Sequence, residues 1–579
     1  MKNFSFRKKG MLSLLALLTF TFSCKDNFLE VPPTGSLANA QLATKAGVEG
    51  ALIGTYSMLT ARGYSRYAAP NNWVFGNILG GDSNKGTDPG DYSSINTVQR
   101  YETEATQPDL NQTWQAKYEG IARANATLRL AAAAKDISAA DLKRIQGESR
   151  FLRGHFYFDL KKIFNSVPYI DETKDYGTGI EKVPNSPAFW DKIEADLKFA
   201  YDNLPETSGQ AGRVNKWAAG AYLAKAFLYQ KKFAEAKALF DVVIASGQTT
   251  NGKKYGLVAN FAQIFNAAND NHEESVFAVQ TAMNTGNVNN SNWFDDLNYP
   301  YNTGTDGPGN CCGFNQPSFD AANSFRTKDG LPLLDGSYNS DANKLKNDYN
   351  VESASAYTPD AGPVDPRLDH AIGRRGIPYL DWIDHPGKNW IRNQPYAGPY
   401  SPKKYVYYKS QENTLTDGSS WTRGYATMNY TVIRFGDVLL MAAEAEAELG
   451  NLEKARAYVN QIRARAANSA SWVKKKDGTN AANYVINLYN SAWTDKTTAI
   501  NAIRFERKLE LSQEGFRFFD LVRWGIAADV LNKYLTNEAV LLTTKFGGAK
   551  FIAGREYLPI PQTQIDIQGA DVLKQNPSY

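Results

Sequence analysis

Cysteine and histidine are nearly missing from this chain, three of the first and four of the second in 579 residues. So few thiols exclude a disulfide-dense scaffold. The histidines, His155, His272, His370 and His385, make no HExxH or zinc-finger spacing. There is also no GxSxG elbow and no phosphate-binding glycine loop. A charge excess of either sign is missing too. The surplus of 64 basic over 60 acidic residues comes from Lys2, Arg7, Lys8 and Lys9, in an opening stretch of 23 residues that holds no acid. Without that stretch 60 stand against 60. Nothing then argues for a basic nucleic-acid face or an electrostatic membrane patch. The one long apolar run, Met11–Phe22, has twelve residues, short of the roughly 20 that a membrane-spanning helix needs.

That run follows the positive cluster and ends at Ser23–Cys24, the pattern of a cleavable export signal over residues 1–23. With a small residue directly before the cysteine, it resembles a bacterial lipoprotein signal, in which Cys24 is lipidated and becomes the mature N-terminus. Thr21 and Phe22 depart from the strict lipobox, and an ordinary signal peptide with an incidental cysteine is the other reading. Each buried acyl CH₂ contributes about 0.8 kcal/mol, so one chain anchors marginally and two or three anchor firmly. Residues 24–40, "CKDNFLEVPPTGSLANA", then read as a polar tether. With Cys24 lipidated, Cys311 and Cys312 can pair only with each other. Adjacent Cα atoms lie about 3.8 Å apart across a trans peptide, below the usual disulfide span. A strained vicinal bridge and two free thiols are both open.

From about 41 to 280 the sequence reads as helix after helix. In "RIQGESRFLRGHFYFDLKKIF", Ile145, Leu152, Phe156, Leu160, Ile163 and Phe164 recur at three- and four-residue steps, the mark of a buried helical face. The stretch "NKWAAGAYLAKAFLYQKKFAEAKALFDVVIAS" is echoed 219 residues later by "FGDVLLMAAEAEAELGNLEKARAYVNQIRARA". Ala224 meets Ala443, Ala226 meets Ala445, Phe233 meets Leu452 and Ala236 meets Ala455. Small residues there let antiparallel helices approach, which resembles tetratricopeptide hairpins of about 34 residues. Residues 281–428 are dense in Asn, Gly, Pro and Asp, which favour turns. Loops on a rigid scaffold are where binding groups sit. Helix is expected to resume at about Tyr430 and run to about Tyr534, before an extended tail. Residues 41–579 read as one compact unit in three regions, 41–280, 281–428 and 429–579.

Several of these segments together resemble the SusD/RagB family of outer-membrane nutrient-uptake lipoproteins of Bacteroidota. They are "GESRFLRGHFYFDLKKIFNSVPYI", "LAKAFLYQKKFAEA", "VLLMAAEAEAELGNLEKARAYVNQIRARA", "IRFERKLELSQEGFRFFDLVRWG" and the ending "YLPIPQTQIDIQGADVLKQNPSY", with "NNWVFGNILGGDSNKGTDPGD" near the start. Ser578 stands where the closing motif usually has glycine. The resemblance implies a mainly α fold, with tetratricopeptide-like hairpins supporting a loop-rich irregular half that carries short strands. It implies a lipid-anchored, cell-surface glycan-binding protein, not an enzyme, that serves a SusC-like TonB-dependent β-barrel transporter. A peptide-binding, RagB-like uptake protein is the alternative.

A surface glycosidase and a structural surface protein without a ligand are the remaining rivals. The stretch 504–523 holds Arg504, Glu506, Arg507, Glu510, Glu514, Arg517, Asp520 and Arg523, and two suitably separated carboxylates could hydrolyse a glycoside. Phe505, Leu509, Phe516 and Phe519 mark a buried face there, so the charges read as a structural lattice, with Gly515 as a helix C-cap. "ANDNHEE", residues 268–274, lacks the twelve-residue calcium loop and reads as a solvated polar loop. No metal or cofactor is expected. For a sugar, the useful groups are aromatic faces beside amides and acids. Trp293, Tyr299, Tyr301, Trp382 and Trp390 have such company in Asn292, Asp295, Asp296, Asp381, Asn389 and Arg392, and Trp73 has Asn72. These are the candidate site residues.

Overall fold

Proline at the first turn has the helical φ already set and no amide to satisfy, and Pro108 opens the first long helix. The computed structural model describes residues 39–579 except Asp175, Asn310 and Ser420; Cys24, its leader and most of the tether lie outside the described residues. After α1 (Lys45–Tyr56) come α2 (Pro108–Ala133) and α3 (Ala139–Phe164). Ser138 caps α3 by accepting from the Asp141 amide, which satisfies one of the unpaired N-terminal donors. The chain goes on through α4 (Trp190–Asn203), α5 (Lys216–Tyr229) and α6 (Phe233–Ser246). After a long excursion it re-enters as α7 (Phe435–Glu448), α8 (Leu452–Ala466), α9 (Lys496–Glu510), α10 (Arg517–Arg523) and α11 (Ala527–Ala539).

Consecutive helices from α2 to α8 pack in sequence, and α6 lies directly against α7 although almost two hundred residues separate them. Ala224, Ala226, Ala443 and Ala445, the small positions of the echo, are fully buried, as close-packed hairpins require. All six periodic apolar residues of α3 are buried. The middle of that helix is covered more widely than one face, taking in Phe151, Tyr157 and Phe158 as well. Arg153 on α3 donates to both oxygens of Asp196 on α4, at 2.7 and 2.8 Å.

The excursion between α6 and α7 is closed at its base by two short strands. β2 (Ser275–Val279) pairs antiparallel with β4 (Tyr430–Arg434), setting Tyr430 opposite Val279. Farther out, β1 (Ser83–Gly86) pairs with β3 (Phe314–Pro317). Residues 430–434, expected as the start of the returning helix, are therefore strand, and helix begins at Phe435. The helical run is also broken between Ala466 and Lys496 by an irregular segment.

A buried ionic network fastens the irregular half to the helices. Arg434 donates to Glu274 at 2.7 Å, Glu510 at 2.7 Å and Glu514 at 2.8 Å. Arg367 reaches Asp365, Glu506 and Glu510; Arg463 reaches Glu506; Arg465 reaches Glu274 and Glu510; Lys404 reaches Glu514. Five cations meet five carboxylates, and buried charges persist when they are paired and hydrogen-bonded in this way. Burial would raise the Glu510 carboxyl, but Arg465, Arg434 and Arg367 outweigh it and hold it below the ordinary range.

Two expectations are corrected here. The segment 268–274 is not wholly solvated, because Glu274 is fully buried within this network. Gly515 is not a helix C-cap: α9 ends at Glu510 with Leu511 at that position. Gly515 has φ +81°, and a Cβ there would stand 1.9 Å from the Asn71 carbonyl oxygen. Its amide donates to Asn77 Oδ1 at 2.7 Å. Glycine is thus needed where the "NNWVFGN" segment crosses the "LSQEGFRFF" segment.

Candidate functional site

Among the described residues, the one tryptophan that stands well out of the protein is Trp421, 61% exposed. Its loop is short and held at both ends. Thr416 and Ala426 form an antiparallel bridge, and the Asp417 amide donates to the Tyr425 carbonyl at 2.7 Å. Asp417 Oδ1 accepts from the Ser419 amide at 2.8 Å, a local turn that lifts the tip. Arg423 fastens the tip to the neighbouring loop, donating to Glu412 at 2.7 Å and to the carbonyls of Gly307 and Gly309 at 3.0 Å each.

Beneath the indole runs a chain of polar contacts. Trp421 Nε1 donates to the Tyr425 hydroxyl at 2.8 Å, and that hydroxyl donates to Asp296 Oδ2 at 3.0 Å. Asp296 in turn receives Arg66 Nε at 2.9 Å and Nη2 at 2.6 Å, a bidentate pair. Paired guanidinium and carboxylate planes fix orientation as well as charge. The Arg66 guanidinium lies 5.9 Å above the Trp293 ring. A flat ring is thereby presented to solvent beside a half-buried guanidinium that is already oriented.

The loop that Arg423 holds starts at Tyr301, whose amide donates to the Trp390 carbonyl at 2.8 Å. Arg392 lies 5.4 Å over the Tyr301 ring, pairs with Asp88 at 2.7 Å and also with Asp91. The loop ends at Cys311 and Cys312, which form a vicinal disulfide, so of the two readings left open the bridged one is observed. The next residue, Gly313, donates to the Tyr299 carbonyl at 2.9 Å and accepts from the Thr87 amide at 2.6 Å. This stitches the loop to the 83–92 segment.

Of the residues named from sequence, the structure brings Tyr301, Asp381, Asn389 and Arg392 to the surface. The other aromatics are core. Trp73 is 1% exposed and edge-on to Phe314; Trp390, at 3%, packs against Tyr379 and His385; Trp382 donates its Nε1 to the Tyr407 carbonyl at 3.2 Å. Tyr299 is buried against Tyr407, and Trp293 lies buried beneath Arg66. Asn72 is buried in a left-handed turn, its amide donating to the Pro70 carbonyl. None of these six presents a face on which a sugar could stack in this conformation; they form the floor that holds the surface groups. Trp421, Tyr425 and Arg66 were missed. A usable signal existed in "TDGSSWTRGY", where a tryptophan sits among polar and glycine neighbours with no periodic apolar partner to bury it.

Asp295, next to Asp296 in this floor, accepts from Asn71 at 2.6 Å and Asn298 at 2.9 Å, with the Asn292 side chain also against its carboxyl. Burial pushes its carboxyl up to about 7, against an ordinary value of about 3.9. The folded chain therefore keeps a proton that the unfolded chain has released, from about pH 4 to 7. Its contribution is fully present below pH 4 and is lost as pH rises through 7. Asp295→Asn mimics the protonated acid, so the variant should gain on the wild type by about 1.4 kcal/mol per pH unit at most across that window. Parallel denaturation curves at pH 4, 5.5 and 7 measure this, and a difference independent of pH would contradict it.

A sequence model of the SusD family matches residues 273–579, more than half of the chain. The chain belongs to the SusD family. A second model, described as starch-binding and associating with the outer membrane, matches residues 80–228. SusD-like protein P2 of Formosa agariphila is 24% identical over 583 residues, spanning 99% of this chain and 100% of the relative. A SusD-like protein of Bacteroides ovatus is 23% identical over 609 residues, spanning 98% and 95%. Among solved structures, a laminarin-binding SusD-like protein superposes with a TM-score of 0.65 at 24% identity, covering 93% of this chain and all of that one. Surface glycan-binding protein A of Bacteroides thetaiotaomicron, in complex with laminarihexaose, gives 0.62 at 18%, covering 92% and 99%. The SusD fold, with its helical hairpins and irregular half, is thus shared with these structures. In this member, three carboxylates of the 504–523 stretch, Glu506, Glu510 and Glu514, are fully buried and paired with arginine or lysine.

Proposed function

We propose that this chain is a cell-surface glycan-binding lipoprotein that captures an oligosaccharide on the Trp421 face and passes it to a SusC-like TonB-dependent transporter, without catalysing a reaction. The exposed indole tied through Tyr425 and Asp296 to Arg66 carries this reading. A pyranose has an apolar C–H face to lay on a flat ring and hydroxyls that need donors, which Arg66 supplies; the loop that begins at Tyr301, under Arg392, is fastened to the Trp421 tip by Arg423. The laminarin-binding structural neighbours favour a glycan over a peptide. Titration calorimetry against β-glucan oligosaccharides, malto-oligosaccharides and a peptide digest tests the choice; heat with the peptides alone would overturn it. Anchoring by lipid at Cys24 belongs to the same reading, and Cys24→Ala should move the protein from the membrane fraction to the soluble one. Unchanged fractionation would count against the anchor.

A further inference from the structure

A separate cavity of about 220 Å³ lies where the C-terminal ends of α3 and α5 meet the start of α4 and helix α10, lined on one side by Tyr557. It shares no residue with the Trp421 face. Three cations are set into its wall, each against a ring: Lys161 lies 5.6 Å from Trp190, Lys162 4.5 Å from Phe519 and Arg523 5.4 Å from Tyr229.

Their counter-charges are uneven. Arg523 is matched by Glu444 and Asp520. Lys162 pairs with Asp159 at 2.8 Å, but that carboxylate also carries Lys117 at 2.9 Å. Lys161 is 7% exposed and pairs with no carboxylate among the described residues; its ammonium donates to Asn165 Oδ1 at 2.6 Å and the Pro187 carbonyl at 2.7 Å. The Glu274–Arg434 network balances cation for carboxylate, whereas this wall keeps a positive excess. Burying a cation without a counter-ion is costly, and burial lowers the Lys161 ammonium to about 8. The cavity is open beside half-buried Trp190, Tyr229 and Tyr557. Neither tyrosine hydroxyl has a hydrogen-bond partner among the described residues, which leaves two polar tips for a ligand.

We propose that this cavity binds a sugar ring bearing a carboxylate, a uronate, with the carboxylate toward Lys161 and Lys162 and the ring between Trp190 and Tyr557. A cation beside an aromatic wall recognises an anion and an apolar ring face together, and the space suits a single ring. Neutral sugars would leave the excess charge unmet, and a bare anion would leave the rings uncovered.

The test is titration of the purified mature protein with glucuronate, glucose and acetate, read by calorimetry and by the indole N–H signal of Trp190, a lining residue of the cavity, in NMR. Glucuronate should bind at least tenfold more tightly than either control and weaken as salt is raised. Tyr557→Ala and Lys161→Met should each cost tenfold or more, while Trp421→Ala leaves the uronate affinity unchanged. Because Lys161→Met removes a helix-end contact, Tyr557→Ala with unchanged circular dichroism is the decisive variant. Equal affinity for glucuronate and glucose, acetate binding as well as glucuronate, or a Tyr557→Ala protein that binds like wild type would overturn the proposal. Loss of uronate binding on Trp421→Ala would also overturn it, by moving the ligand to the other face.

Discussion

Replacing Arg434 by methionine is expected to lower the unfolding free energy by about 3–5 kcal/mol, the range for removing one partner from a buried ion pair. Arg434 has no exposed side-chain surface and meets three carboxylates, Glu274, Glu510 and Glu514. Its Nη2 also donates to the Glu510 carbonyl at 2.9 Å. Arg465, Arg367 and Lys404 stay in place for the orphaned acids, but the balance of five against five becomes four against five in a fully buried site. Methionine fills the volume and supplies no donor. Arg434→Lys keeps the charge and loses the planar fork, so it should fall between methionine and wild type. Chemical denaturation followed by circular dichroism measures the series. A methionine variant within about 1 kcal/mol of wild type, the worth of an exposed pair, would mean that the network does not fasten the irregular half to the helices.

Trp421→Ala should weaken glycan binding at least tenfold, about 1.4 kcal/mol, and leave the unfolding midpoint unchanged. Trp390→Ala should do the reverse in kind. Trp390 is 3% exposed and wedged between Tyr379 and His385, so its removal opens a cavity costing about 3–5 kcal/mol. Any loss of binding in that variant should then track unfolding and vanish when the folded fraction alone is counted. Trp421 is mostly in solvent, and surface substitutions of that kind usually stay within about 0.5 kcal/mol. Calorimetric titration paired with thermal unfolding of both proteins separates the two effects. A Trp421→Ala protein of full affinity would remove the platform from the proposed function, and attention would pass to Tyr301 and Arg392.

These two tryptophans also mark how far the sequence could be read. The helices were legible because their signal is local. Ile145, Leu152, Phe156 and Leu160 record a period of three to four residues on one stretch of chain, and the alanines of the two echoed segments record close approach within a hairpin. Glu510 and Glu514 were likewise legible as structural charges, since apolar residues in the same stretch already marked a packed element. Burial of an individual ring is a different kind of quantity. In sequence, Trp390 beside Asn389 and Trp421 beside Ser420 look alike, each an aromatic among loop residues. Trp390 is covered by Tyr379 and His385, brought over it by the fold of the irregular half, and Trp421 is lifted clear by a bridge between Thr416 and Ala426. The partners of Arg434 lie 76, 80 and 160 residues away. Periodicity thus settled the helical scaffold, because a helix is stabilised by near neighbours. The tertiary fold alone decided which side chains meet solvent, because exposure depends on distant segments that no local pattern records.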